Sequence, residues 1–263
     1  MNTPNAPAWL TSRPIAHRGL HDRDAGVMEN SLAAARAAIA GGFAIECDVQ
    51  DSRDGEAFVF HDHTLERLTG GEGAFKARKA QEIAGLSLRG AALAENPPRL
   101  SDFLALLAGR VPLVLEIKSR FDGDETLTRR TCEIVAGYDG PLCLKSFDPF
   151  VVALARDLAP ERPRGIVAQA EFSGAPQLDD AERRAMANLL HFPQTLPDFI
   201  SWNHRDLPHA APFLCRTLRA MPVMAWTVRD GLTAQAIKPW ADQIVFEEFD
   251  PRFGCLARSA YTG

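Results

Sequence analysis

Apolar residues in this chain come in short runs of four to seven, separated by stretches where they return every three or four positions. The short runs predict strands at 14–17, 43–49, 57–61, 112–118, 141–147, 164–169, 198–203, 222–228 and 243–247, each of a length typical of a buried parallel strand. Several begin just after Pro or Gly. The periodic stretches predict helices at 31–40, 101–108, 125–136, 149–158, 207–219 and 233–238. The first is alanine-rich, with Ser31 at its start and Gly41-Gly42 at its end, as helix caps require.

Strands alternating with helices imply a parallel sheet covered by helices, an α/β fold. Open doubly wound sheets and closed barrels share this order, and a strand count near eight favours a TIM (β/α)8 barrel. Nine candidates leave one surplus. The gap between Val49 and Ala57 is too short for a helix and holds Asp54-Gly55, a turn signal, so one flanking segment is not a regular stave. Residues 64–99, with Gly70-Gly71 and Pro97-Pro98, read as an irregular polar loop insertion over one end of the barrel. No linker or repeat divides the chain, so a single domain over 14–251 is expected.

At 263 residues the chain is long enough for such a barrel, with a core that needs no disulfide. Its net charge of −5 argues against a nucleic-acid partner, which needs a basic face, but leaves room for a small phosphate held by a local Arg and Lys cluster. Cys47, Cys132, Cys143, Cys215 and Cys255 are scattered, odd in number and without CxxC spacing; they read as reduced thiols in an intracellular chain. No secretory signal precedes residue 14, and no apolar run approaches the roughly 20 residues of a membrane span. A cytoplasmic location is the expectation. Oligomeric state is not legible.

Chemistry collects at strand ends. Side chains alternate across a strand, so Glu46 and Asp48 face one way and Cys47 the other, while Glu116 and Lys118 share a face opposite Ile117. In a parallel barrel the C-terminal strand ends line the functional mouth. His17, Arg18, Glu46, Asp48, His61, Glu116 and Lys118 all fall there. Three converging carboxylates with few compensating cations would repel one another, and a hard divalent cation, Mg²⁺ or Ca²⁺, would remove that cost. Arg18 and Lys118 suit a phosphate oxygen, and two histidines on opposite sides of it suit acid and base. Gly19 reads as turn chemistry. Lys145 reads either as a phosphate contact or as a solvated strand-end charge, and Phe147 and Trp226 either as core or as an apolar substrate wall. His21, His63, His191, His204 and His209 read as surface or loop residues.

These motifs resemble the glycerophosphodiester phosphodiesterase family. The resemblance is carried by Ile15-Ala16-His17-Arg18-Gly19, Glu29-Asn30-Ser31, Ile45-Glu46-Cys47-Asp48-Val49, Asp54-Gly55, Val59-Phe60-His61-Asp62 with Leu65 and Arg67, Leu115-Glu116-Ile117-Lys118, Ser146-Phe147 and Trp226-Thr227-Val228. It runs from about Pro14 to Pro251. It implies a TIM barrel hydrolysing glycerophosphodiesters to an alcohol and glycerol 3-phosphate. His17 and His61 would be general acid and base, and Glu46, Asp48 and Glu116 ligands of Mg²⁺ or Ca²⁺. Arg18 and Lys118 would bind phosphate, and Phe147 and Trp226 would line the substrate site. The resemblance also implies attack by the neighbouring glycerol hydroxyl and a cyclic phosphate that water then opens.

Met28 and Ser31 stand where the family usually has proline and threonine, and Arg67-Leu68-Thr69 varies a common Arg-Thr-Thr. The last strand departs more. Glu247-Glu248-Phe249-Asp250 replaces a usual Thr or Ser followed by Asp, adding negative charge near the pocket and bearing on head-group preference. Two other readings share the barrel: a phosphodiesterase of intact phospholipid or phosphoinositide, and a phosphate-binding barrel without catalysis. The first lacks a basic amphipathic anchor here; the second would not need two histidines.

Overall fold

A computed structural model describes residues 6–173, 175 and 177–252. Its strands are β1 (Ile15–Ala16), β2 (Ala44–Asp51), β3 (Ala57–Val59), β4 (Leu113–Ile117), β5 (Leu142–Ser146), β6 (Arg164–Ala168), β7 (Phe199–Asn203), β8 (Val223–Val228) and β9 (Gln243–Phe246). Eight of them pair in parallel in the order β1-β2-β4-β5-β6-β7-β8-β9, and β9 returns to β1, so the sheet closes into a barrel. The surplus strand is β3, which folds back antiparallel on β2 through the Asp54-Gly55 turn and stays outside the barrel wall.

The helices are α1 (Leu32–Gly41), α2 (Ala80–Ala84), α3 (Leu100–Leu107), α4 (Thr126–Ala136), α5 (Pro149–Leu158), α6 (Asp180–Ala187), α7 (Phe192–Thr195), α8 (Ala210–Arg219) and α9 (Gly231–Ile237). Ser31 caps α1 by accepting the Ala34 N–H, and Gly42 ends it at a φ of 71°. Ala34, Ala35 and Ala38 are buried, and their short side chains let the helix lie close to the wall. The sequence pattern missed α2, α6 and α7. The first and last are under two turns, and α6 is polar on most of its surface, so none of the three shows a long apolar stripe.

The barrel interior is layered by strand alternation. Ile15, Ala44, Val114, Cys143, Phe199, Met224 and Val245 fill the lower layer, closed below by Leu10. A Cβ at Gly165 would collide with the Phe199 ring, so glycine there makes room for the largest side chain of this layer. Two positions further along these strands, the inward residues become His17, Glu46, Glu116, Lys145, Ser201, Trp226 and Glu247. The packed apolar plug thus ends where the polar layer begins. Outward residues such as Ile45, Cys47, Val49, Leu115 and Ile117 pack against the helices.

The segment between β3 and α3 differs from its composition. Phe60, Leu65, Leu68, Phe75, Ala80 and Ile83 form an apolar cluster with Phe58, and Phe75 stacks on Phe60 at 4.6 Å between ring centroids. A small core, rather than polar loop packing, holds this insertion together. Cys47, Cys132 and Cys143 are buried free thiols and Cys215 is half-buried; Cys255 lies outside the described residues. Among the described residues no helix is long and apolar enough to cross a membrane.

Candidate active site

The polar layer is assembled by tight backbone turns as much as by strands. The chain leaves β1 through Arg18 and Gly19, both at positive φ, 55° and 79°. A Cβ on Gly19 would lie 2.8 Å from the Ala34 Cβ, so only glycine lets this turn pass α1. The Gly19 N–H donates to the Glu46 carbonyl (3.1 Å) and the Arg18 N–H to Glu46 Oε2 (3.2 Å). Asn30 grips the next acid from two sides: its Nδ2 donates to Asp48 Oδ2 (2.9 Å) and its Oδ1 accepts the Asp48 N–H (3.2 Å). The Glu29-Asn30 motif therefore orients an acid eighteen residues away.

Glu46, Asp48 and Glu116 are buried and offer one oxygen each within 4.8 Å of one another. The sequence expectation of few compensating cations is not what the structure shows. Lys118 Nζ lies 2.7 Å from Asp48 Oδ1 and 2.5 Å from Glu116 Oε1. Lys145 Nζ lies 3.0 Å from Glu46 Oε1 and 3.1 Å from Glu116 Oε2. With its side chain 3% exposed, Lys145 is neither a solvated strand-end charge nor free to reach out to a ligand; it lies among the acids. Burial opposes ionisation of Asp48, but Lys118, His61, Arg18 and His17 outweigh it and hold the carboxyl well below its usual range. Glu116 is likewise lowered against burial, by Lys118 and Lys145. An all-oxygen donor set of this compactness suits Mg²⁺ or Ca²⁺ rather than a soft metal. The case for a cation rests on that donor set, since the charge is already largely balanced.

Each candidate histidine has a carboxylate on Nδ1. His17 lies at the mouth end of β1, with Nδ1 2.5 Å from Glu247 Oε2 and Nε2 4.0 Å from Glu46 Oε2. His61 Nδ1 is 2.7 Å from Asp62 Oδ1. Arg67 donates to both oxygens of Asp62 (2.6 and 2.7 Å) and to both of Glu29 (2.6 and 2.9 Å), and Glu29 in turn accepts from Arg18 (2.6 Å). One ion-pair chain therefore runs from His61 to Arg18. Asp62 and Glu29 are both lowered against the cost of burial by these partners. Gln50, the next inward position after Asp48, donates to the His61 carbonyl (3.0 Å) and contacts His63 Nδ1 (3.2 Å).

Two hollows open at this mouth. One of about 510 Å³ is lined by His61, Glu116, Lys118, Phe121, Phe147 and Phe172. Another of about 960 Å³ is lined by His17, Arg18, Glu29, Arg67, Arg229 and Glu247. Phe147 meets Trp226 edge-on at 5.5 Å, and Trp226 Nε1 donates to the Ser201 carbonyl (2.9 Å). The structure thus gathers His17, Arg18, Glu46, Asp48, His61, Glu116 and Lys118 at one mouth, with Phe147 on its rim. Of the histidines read as surface or loop, His191 is buried, His21 approaches Glu247, and His209 stacks on Trp202 and caps α8.

The orienting contacts of Gln50, Asp62, Arg67 and Glu247 were not read from sequence. Gln50 and Glu247 had a signal, since they continue the inward alternation of β2 and β9. Asp62 had only its place in the family motif and no pattern for this contact, because neighbours in a strand face apart and only the chain's departure from β3 lets His61 and Asp62 meet.

The model of the glycerophosphoryl diester phosphodiesterase family matches residues 17–245. The chain belongs to this family. A glycerophosphodiester phosphodiesterase of Caldanaerobacter subterraneus subsp. tengcongensis is 31% identical over 163 residues, 59% of this chain; the match spans 66% of that relative, just under two thirds of its length. Among solved structures, a phosphodiesterase of Oleispira antarctica in complex with the product sn-glycerol-3-phosphate superposes with a TM-score of 0.74 at 23% identity, over 91% of this chain and 94% of that one. A glycerophosphodiester phosphodiesterase of Agrobacterium tumefaciens gives 0.68 at 23% identity, over 93% and 99%. At these identities the structural likeness speaks for the fold, the family's closed barrel. Family and relatives alike are named for hydrolysis of phosphoric diesters.

Proposed function

We propose that this chain hydrolyses small glycerophosphodiesters to an alcohol and glycerol 3-phosphate, with His17 and His61 as the proton-transfer pair. The observation that carries the reading is the convergence of two carboxylate-backed imidazoles, an arginine and a lysine on one buried acid cluster, in a member of this family. Lys118 and Arg18 meet the anionic diester. One imidazole takes the proton of the glycerol hydroxyl next to the phosphorus, which attacks and closes a cyclic phosphate. The other gives a proton to the departing alkoxide. The two exchange roles as water opens the ring. Glu46, Asp48 and Glu116 are the residues that would hold Mg²⁺ or Ca²⁺. Such an ion, when bound, supplies Lewis-acid polarisation of the hydroxyl and phosphoryl oxygens. Phe147, with Trp226 against it, offers the apolar rim for the glycerol or alcohol carbons. The Oleispira relative's bound glycerol 3-phosphate supports a small-molecule substrate.

The test is a panel of soluble diesters, glycerophosphocholine and glycerophosphoethanolamine among them, scored for released glycerol 3-phosphate with Mg²⁺, with Ca²⁺ and with chelator. The expected result is turnover that chelator abolishes and either ion restores. Full activity in chelator removes the metal role. Cleavage of micellar phospholipid without action on soluble diesters replaces the substrate class.

A further inference from the structure

Glu247 occupies the place where the barrel closes. Residues 15 and 16 of β1 register with Val245 and Phe246 of β9, which brings residue 17 beside residue 247. The His17 N–H donates to the Phe246 carbonyl (2.9 Å), and the Glu247 N–H to the Val228 carbonyl (3.0 Å). Both backbones are therefore fixed by strand pairing. The Glu247 side chain is only 10% exposed, and Arg229 Nη2 lies 2.6 Å from its Oε1. Its Oε2 faces His17 Nδ1 at 2.5 Å, with His21 Nε2 at 3.6 Å. Burial raises the carboxyl, but His17, His21 and Arg229 together hold it well below the usual range, so it accepts hydrogen bonds and has no proton to give.

We propose that Glu247 is a positioning residue for His17: it accepts the Nδ1–H, fixes that tautomer, and leaves Nε2 bare and aimed toward the acid cluster where the diester binds. This rests on the reading of His17 as a proton-transfer group. Asp62 stands in the same relation to His61, but by its adjacency in sequence; the His17 partner is delivered across the barrel seam by a residue at which this chain departs from its family's usual pattern. The acidic end of β9 thereby acquires a catalytic use, separate from any effect on head-group choice.

The experiment uses the full chain with Glu247→Ala, Glu247→Gln and His17→Ala, assayed on glycerophosphocholine, together with ¹⁵N spectra of the His17 ring in its neutral form. The wild type is expected to show the Nδ1–H tautomer. Glu247→Ala is expected to shift it toward Nε2–H and to lower kcat by about 10–100-fold, the usual cost of losing such an orienting partner. KM should stay within about twofold, because the phosphate-binding Arg18 and Lys118 are retained. Glu247→Gln should fall between, since its amide oxygen still accepts but carries no charge. A wild-type Nε2–H tautomer, unchanged kcat in Glu247→Ala, or a loss confined to KM overturns the proposal. His17→Ala separates the two readings. Full turnover there defeats the role of His17 itself, whereas lost turnover there with normal turnover in Glu247→Ala defeats the positioning role alone. If Glu247→Ala does not fold, the near-isosteric Gln variant decides both readouts.

Discussion

Arg67 is the residue on which most second contacts converge. It bridges Asp62 and Glu29 with four charge-assisted hydrogen bonds, and through them restrains both His61 and Arg18. Its guanidinium is exposed enough that the stability of the pairs is modest, so its importance lies in geometry. Arg67→Ala is expected to lower kcat by about 10–100-fold with a melting temperature close to wild type, read by steady-state kinetics and thermal unfolding. Lys145 acts in the opposite sense. Its ammonium is buried between Glu46 and Glu116, which raise its pKa against the cost of burial. Lys145→Met leaves two buried carboxylates without that partner. The variant should be less stable by about 3–5 kcal/mol without metal. It should recover part of that loss when Ca²⁺ is added, measured by urea unfolding with and without the ion. Equal stability with and without Ca²⁺ would show that the acids do not hold it.

At the scale of elements, strands were far more legible than helices. Each of the nine predicted runs contains a strand, because each carries closely spaced apolar residues bounded by breakers and is buried along most of its length. The fate of the surplus run was also written in Asp54-Gly55, which leaves no room for a crossover helix. The inward set of β2 followed from alternation, and it led directly to Glu46 and Asp48. What was not legible depends on contacts between distant segments: the apolar cluster under residues 64–99, the pairing of Lys145 with two acids, and the seam that joins His17 to Glu247. No local pattern encodes which residue lies across a barrel. Gly165 tests the layered interior. Gly165→Ala must displace the Phe199 ring, and overpacking of this kind should cost about 1–3 kcal/mol in denaturant unfolding. A neutral substitution would mean that the layer is looser than described.

Across the whole molecule, an apolar plug at the bottom of the barrel supports a charged layer at its mouth. Folding is therefore coupled to pH on the acid side, through two kinds of group. Asp48, Glu116 and Glu247 have lowered pKa values, so their contribution is present at neutral pH and is lost as pH falls below the ordinary carboxylate range. His191, away from the site, is buried and lowered to about 4 from 6.5. The unfolded chain takes up its proton first, so this stability is complete above pH 6.5 and drains away as pH falls toward 4. His191→Gln should therefore reduce the stability difference between pH 7 and pH 4.5 by about 2 kcal/mol, measured by urea midpoints. The proposed hydrolysis depends on two imidazoles working across one acid cluster. Its most direct test is kcat for glycerophosphocholine in His17→Ala and His61→Ala, each checked for native melting. Losses of at least about 100-fold in both are expected, the scale of a missing general acid or base; near-wild-type turnover in either folded variant would contradict it.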